Sequence, residues 1–223
     1  LAIIRNIFSI GWPAGVLQVF WQLSVLALFL IISALPENNI EILAAFTNGL
    51  KIESVIFLPA FAFNMASAVV VGNLLGKNNQ EDAFSAGIVT ALAGVMIVSA
   101  LTVMVMFNGR YVAALISNND IVIRESIRYI YIALLSEPVM AWGVILAGGL
   151  NGAGDTRRVM AAVVLSVWLV RVPLSYLLGV YFKLGAPAIW WSMNLSVALQ
   201  AILITKRYFS KKWFSCKHVE LTV

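Results

Sequence analysis

Polar residues fall in short clusters along this chain. Between them run apolar stretches long enough to cross a bilayer, which takes roughly 20 residues. There are six such stretches, at 10–35, 41–75, 83–107, 127–150, 159–182 and 186–205. The second is too long for one straight crossing, and its most apolar part runs from Val55 to Gly72. Between the third and fourth, Gly109 to Asn119 reads as a loop with a short interfacial helix, "YVAALIS". No long hydrophilic insert interrupts the series. The pattern predicts an all-α integral membrane fold: a single six-transmembrane-helix bundle over 1–223, with 206–223 as a basic tail.

Composition strengthens this reading. Of 223 residues, 61% are hydrophobic and 11% charged, against about 25% charged in soluble domains. Mean hydropathy is +0.94. A chain this poor in charge cannot coat a soluble surface, so its surface is expected to face the lipid bilayer. The single cysteine, Cys216, allows no disulfide within the chain. The chain begins at Leu1 with no signal-peptide pattern before the first span, and it is read as part of a longer protein.

The net charge of +5 is a topology signal. With alternating spans, Arg5, Lys77, Arg157, Arg158, Lys206, Arg207, Lys211, Lys212 and Lys217 fall on one side. The other side receives Arg110, Lys183, Arg124 and Arg128. The basic excess marks the first side as cytoplasmic, with both chain ends on the cytoplasmic side of the cell membrane. Most of these charges border apolar spans, so a nucleic-acid partner is not expected. In "GNLLGKNNQEDAFSAG", Gly76 is expected to end the second span in the left-handed conformation, and Asn79 to cap the third.

"GGLNGAGDTRRVM" lacks the Gly-Lys-Ser/Thr of a phosphate loop and the G-x-G-x-x-G of a dinucleotide fold. It reads as a helix hairpin that ends at Gly152 or Gly154 and restarts with a cap at Asp155 or Thr156. Arg157 and Arg158 then hold the turn on the cytoplasmic face.

Ionisable residues inside spans cost about 2.5–3.5 kcal/mol on insertion scales and are candidates for function. Glu137 and Arg171 lie equally far in sequence from Gly154, on either side of the turn, at similar depth roughly 25 Å along their helices. They could form an ion pair that only fixes two helices, or a site. Pro138, next to Glu137, is expected to free a backbone carbonyl and kink the span; a carboxylate there suits a proton or cation. Lys51 and Glu53 read as an interfacial anchor pair, or Glu53 as the mouth of a cleft. Gln18, Gln22, Asn48, Asn64 and Asn194 could line a cavity or bond neighbouring helices. Pro59, Pro138 and Pro173 are hinge candidates. Trp21, Met65, Met140 and Trp142 could form a soft surface for flat organic cations, or ordinary core. Trp12, Trp190, Trp191 and Trp213 fall near span ends and read as aromatic belts. The tail "TKRYFSKKWFSCKH" is expected on anionic lipid, with Cys216 a reduced thiol. His218, the only histidine, lies outside every span, and no aspartate lies within one. An enzyme is therefore not expected, nor a bound cofactor or metal, beyond a coupling ion, H+ or Na+.

Several motifs together resemble one family. "SIGWPAG", "IFLPAFAFNMASAVVVGNLLGKNNQEDA", "GGLNGAGDTRR", "VWLVRVPLSYLLG" and "LGAPAIWWSMNLS" occur in an order similar to the C-terminal lobe of the multidrug and toxic compound extrusion (MATE) transporters. The resemblance implies a MATE-like twelve-helix transporter of two six-helix lobes related by a pseudo-two-fold axis along the membrane normal. Its partner would be a missing N-terminal six-helix lobe, and its source bacterial. The implied function is a cation-coupled (H+ or Na+) antiporter exporting small organic cations or amphipathic compounds; Glu137 and Arg171, singled out by their charge within apolar spans, are the residues expected to serve it. One branch of the family carries a carboxylate on this lobe's first helix, where this chain has Gln18 and Gln22. It also has an aspartate on the fourth, where Met140 aligns. The alternatives are a lipid-linked precursor flippase of the same superfamily and a non-transporting membrane scaffold subunit.

Overall fold

A computed structural model describes the backbone of residues 2–215 and the side chains of 11–13 and 15–214. The side chain of Arg5, together with Cys216, Lys217 and His218, lies outside the described residues. The helices in order are α1 (Ala2–Ser33), α2 (Asn39–Gly76), α3 (Gln80–Phe107), the short α4 (Gly109–Ile116), α5 (Asp120–Gly152), α6 (Thr156–Tyr181) and α7 (Ala186–Phe209). All but α4 are long and apolar enough to cross a membrane. Helix α5 starts at Asp120 rather than at 127 because Asn119 caps it, its side chain accepting from the N–H groups of Ile121 and Val122.

The helices are built inside out relative to a soluble bundle. On α3 the buried residues include Ala83, Gly87, Ala91, Gly94 and Val98, while the larger Val89, Leu92, Met96 and Met104 are exposed. Small residues facing inward let backbones approach, and large apolar ones meet lipid. A close seam joins α2 to the second half of α5. A Cβ at Gly148 would lie 2.2 Å from the Asn64 carbonyl oxygen, and one at Gly152 2.1 Å from that of Ala68. Across this seam the Asn64 amide donates to the Val144 carbonyl at 2.6 Å. Helix α1 is the outlier, packed mainly on α6 and only lightly on α2.

Three chain segments meet at the end where the basic loops lie. Between α2 and α3 the left-handed residue is Asn78 (φ 58°), and Gly76 closes the helix with an ordinary backbone. This corrects the expectation for Gly76. The helix carries on until the Asn79 N–H reaches back to Leu74 O, and asparagine tolerates the resulting conformation. Asn79 caps α3, accepting from the Asp82 N–H at 3.3 Å. Between α5 and α6 the positive φ falls on Gly154 (83°). Asp155 occupies the cap position of α6 but makes no side-chain cap bond. Its carboxylate is drawn instead to Arg207 on α7, a charged donor stronger than a backbone amide.

After α7 the chain reaches the start of α3. Lys211 donates to both oxygens of Glu81 at 2.9 and 3.0 Å. The Trp213 indole donates to Tyr208 O at 2.7 Å, and both rings are fully buried. Trp213 and Trp190 are thus core residues and not belt residues, while Trp12 and Trp191 are exposed.

Candidate ion and substrate site

Polar chemistry inside the bundle gathers where α2, α5, α6 and α7 face one another. Glu53 is partly buried, not an exposed anchor like its neighbour Lys51. Its carboxylate accepts from the Tyr129 hydroxyl at 2.7 Å. An α-helix puts positions two apart on different sides, which is why one of the two turns inward and the other does not.

Glu137 is 4% exposed, and its Oε2 has no hydrogen-bond partner. It stands where α5 resumes after a 3-10 turn, Leu134–Ser136. Pro138 fits there without loss, since the first helical turn has no partner for its missing N–H. The backbone thus breaks just before the carboxylate, not by a kink within a regular span.

Arg171 is also 4% exposed, but it does not pair with Glu137. Its Nε donates to Ser196 Oγ on α7 at 2.9 Å, and its guanidinium lies 5.1 Å from the centre of the Trp21 ring on α1. No carboxylate lies within salt-bridge distance of it among the described residues. Equal depth along two helices does not set azimuth. Here the i→i+5 turns of Ser166–Arg171 place an extra residue in each turn and rotate the side chain away. Glu53, Glu137 and Arg171 all lie within membrane-spanning helices. With all three ionised, the interior carries two negative charges and one positive. Among the described residues, no three His, Cys, Asp or Glu side chains come together as a metal site would require.

The other predicted residues are scattered. Asn194 donates to Ile132 O at 2.7 Å and accepts from Ser136 Oγ at 3.0 Å, bracing the break before Glu137. Asn64 serves the α2–α5 seam, and Gln18 and Gln22 are exposed on α1. Trp142 is pinned to Thr205 at 2.9 Å, Met140 is partly buried and Met65 exposed. Trp21 lies against Arg171, and Trp142 is bonded to α7. Pro59 lies within α2, and Pro173 between two i→i+5 stretches of α6. Tyr129, Ser136 and Ser196 were not singled out in the sequence. Each bonds to a residue on a distant helix, and no local spacing marks it.

The MatE family model matches residues 13–177. The chain belongs to the MatE family. MatE relatives include a probable multidrug resistance protein NorM of Bradyrhizobium diazoefficiens, 30% identical over 74% of this chain and 36% of that protein. A probable NorM of Burkholderia pseudomallei is 28% identical over 95% of this chain and 46% of its own length. Among solved structures, a MOP superfamily transporter from Pyrococcus furiosus, for which a binding pocket of reverse polarity suggests a different function, superposes with a TM-score of 0.86 at 19% identity. It covers 95% of this chain and 48% of its own. The MATE transporter ClbM in complex with Rb+ also gives 0.86, at 20% identity, covering 96% of this chain and 50% of its own. This MatE chain is thus a multi-pass membrane bundle that spans less than half the length of those curated relatives and about half of the solved transporters.

Proposed function

We propose that this chain is the C-terminal lobe of a cation-coupled exporter of cationic or amphipathic organic compounds. In this reading it works with a second six-helix lobe by alternating access, and its basic end faces the cytoplasm of a bacterial cell. The names of the NorM relatives support multidrug efflux. What carries the coupling role is the unpartnered oxygen of Glu137, buried while Arg171, the one buried cation among the described residues, bonds elsewhere. A buried carboxylate with no ion-pair partner is costly, and a proton or Na+ arriving there offsets the cost. Arg171 stays nearby as a fixed positive charge. A flippase for a lipid-linked pyrophosphate would need several buried cations, and Arg171 is the only one among the described residues.

The test is Glu137→Gln in the full-length protein. Drug extrusion should fall at least tenfold while the amount inserted in the membrane is unchanged; extrusion at the original rate would end the assignment. Proton and ²²Na+ fluxes driven by substrate in proteoliposomes then identify the ion, and no flux of either kind would favour a scaffold.

A further inference from the structure

At the end opposite the basic loops, the lobe holds a cavity of about 380 Å³ whose walls include Glu37, Ile42, Glu125, Arg128 and Ala186. Glu125 is held by Arg128 at 3.3 Å. Helices α2, α5 and α7 all run inward from this cavity. One helical turn further along each come Phe46 after Ile42, Tyr129 after Glu125 and Trp190 after Ala186. The three rings form one layer. Phe46 and Trp190 stack at 5.4 Å, Tyr129 meets Trp190 edge-on at 4.7 Å, and Phe46 and Tyr129 lie 5.8 Å apart. Immediately inside the layer are Glu53, on the Tyr129 hydroxyl, and Asn194, which braces Ser136 beside Glu137.

The layer has features that ordinary core packing does not call for. The Trp190 indole N–H is buried without a hydrogen-bond partner, so no bond fixes the ring's orientation, whereas buried tryptophans usually find one. The Tyr129 ring lies flush on the backbone of Gly49, where a Cβ would come within 2.2 Å of it. Its hydroxyl is tied to Glu53, so anything that binds Glu53 acts directly on the ring.

We propose that small inorganic cations reach Glu53 and Glu137 through the lobe itself, gathering in the cavity and passing the Phe46–Tyr129–Trp190 layer when the Trp190 indole turns aside. The proposal rests on the coupling role given to these carboxylates and on the orientation above. Its consequence is a division of routes: a drug-sized molecule cannot pass such a layer, so ions and cargo travel separately.

The experiment uses the full-length protein with its native cysteines replaced by serine and Asn194→Cys as a reporter one turn inside Trp190. A small cationic methanethiosulfonate is added from the face opposite the basic loops. Adding Trp190→Ala should speed labelling at least tenfold. Gly49→Ala, which displaces Tyr129 without emptying the core, should do the same if the tryptophan variant does not fold. Ala186→Trp, filling the cavity, should reverse either gain. Labelling that neither opening variant accelerates would overturn the route, as would labelling blocked by a bulky transported drug but not by Ala186→Trp. The reaction does not depend on coupling, so a normal Glu137→Gln phenotype would sink the coupling role without touching this result.

Discussion

Arg171 depends on two neighbours, the Ser196 hydroxyl and the Trp21 face. A buried charged donor stripped of its acceptor costs about 1–3 kcal/mol or more, so Ser196→Ala should lower the melting temperature of the purified protein by several degrees. An unchanged melting curve would mean that the guanidinium has another acceptor within reach. At this scale the sequence told which residues carry unusual charge but not what they touch. Glu137 and Arg171 were marked by their cost in an apolar span. Their separation was not, because it depends on the i→i+5 turns of α6, which no spacing rule reveals. Tyr129 was unmarked because its meaning lies in Glu53, on another helix.

The glycines of "GGLNGAG" show the same difference between elements. The sequence reading ends the helix at Gly152 or Gly154, and α5 does end at Gly152 with the positive φ on Gly154; what that reading leaves out is the work of the glycines within α5 or at its end. Gly148 and Gly152 let α2 lie against α5 almost backbone to backbone. Gly152→Ala should therefore destabilise the protein by about 1–3 kcal/mol through overpacking. At Gly76, where a Cβ meets nothing within 4 Å, the same change should be neutral or stabilising by about 0.5–1 kcal/mol. Thermal unfolding of the two variants in one detergent compares them directly, and equal shifts would show that the seam is looser than it looks. The existence of the six helices was legible because hydrophobic length alone dictates it. The seam was not, since the surface that selects glycine belongs to α2, far away in the sequence.

For the molecule as a whole, charge placement decides which end is which and also closes that end. Asp155 and Arg207 tie the α5–α6 turn to α7, and Lys211 and Glu81 tie the α2–α3 turn to the segment after α7. The exposed Lys211 pair is worth little, about 0.2–1 kcal/mol. The Asp155 pair is better shielded, and Asp155→Ala should cost more than Glu81→Ala. Exchanging the two charges, Asp155→Arg with Arg207→Asp, should recover part of that loss. A double variant no better than the single one would show that the backbone of the turn matters and the charge does not. The sequence reading placed Arg207 and Lys211 at one face as a topology signal, and there each also pairs with a carboxylate of the protein.

The buried Trp213 and Tyr208 give this closure a timing. Tyr208 stands in the last turn of the sixth crossing and Trp213 just after it, so nearly the whole bundle must be synthesised before either ring exists to be buried. Until then the α2–α3 and α5–α6 turns at that face lack the ties that the end of α7 and the segment after it supply. This end of the bundle is therefore the last part to close.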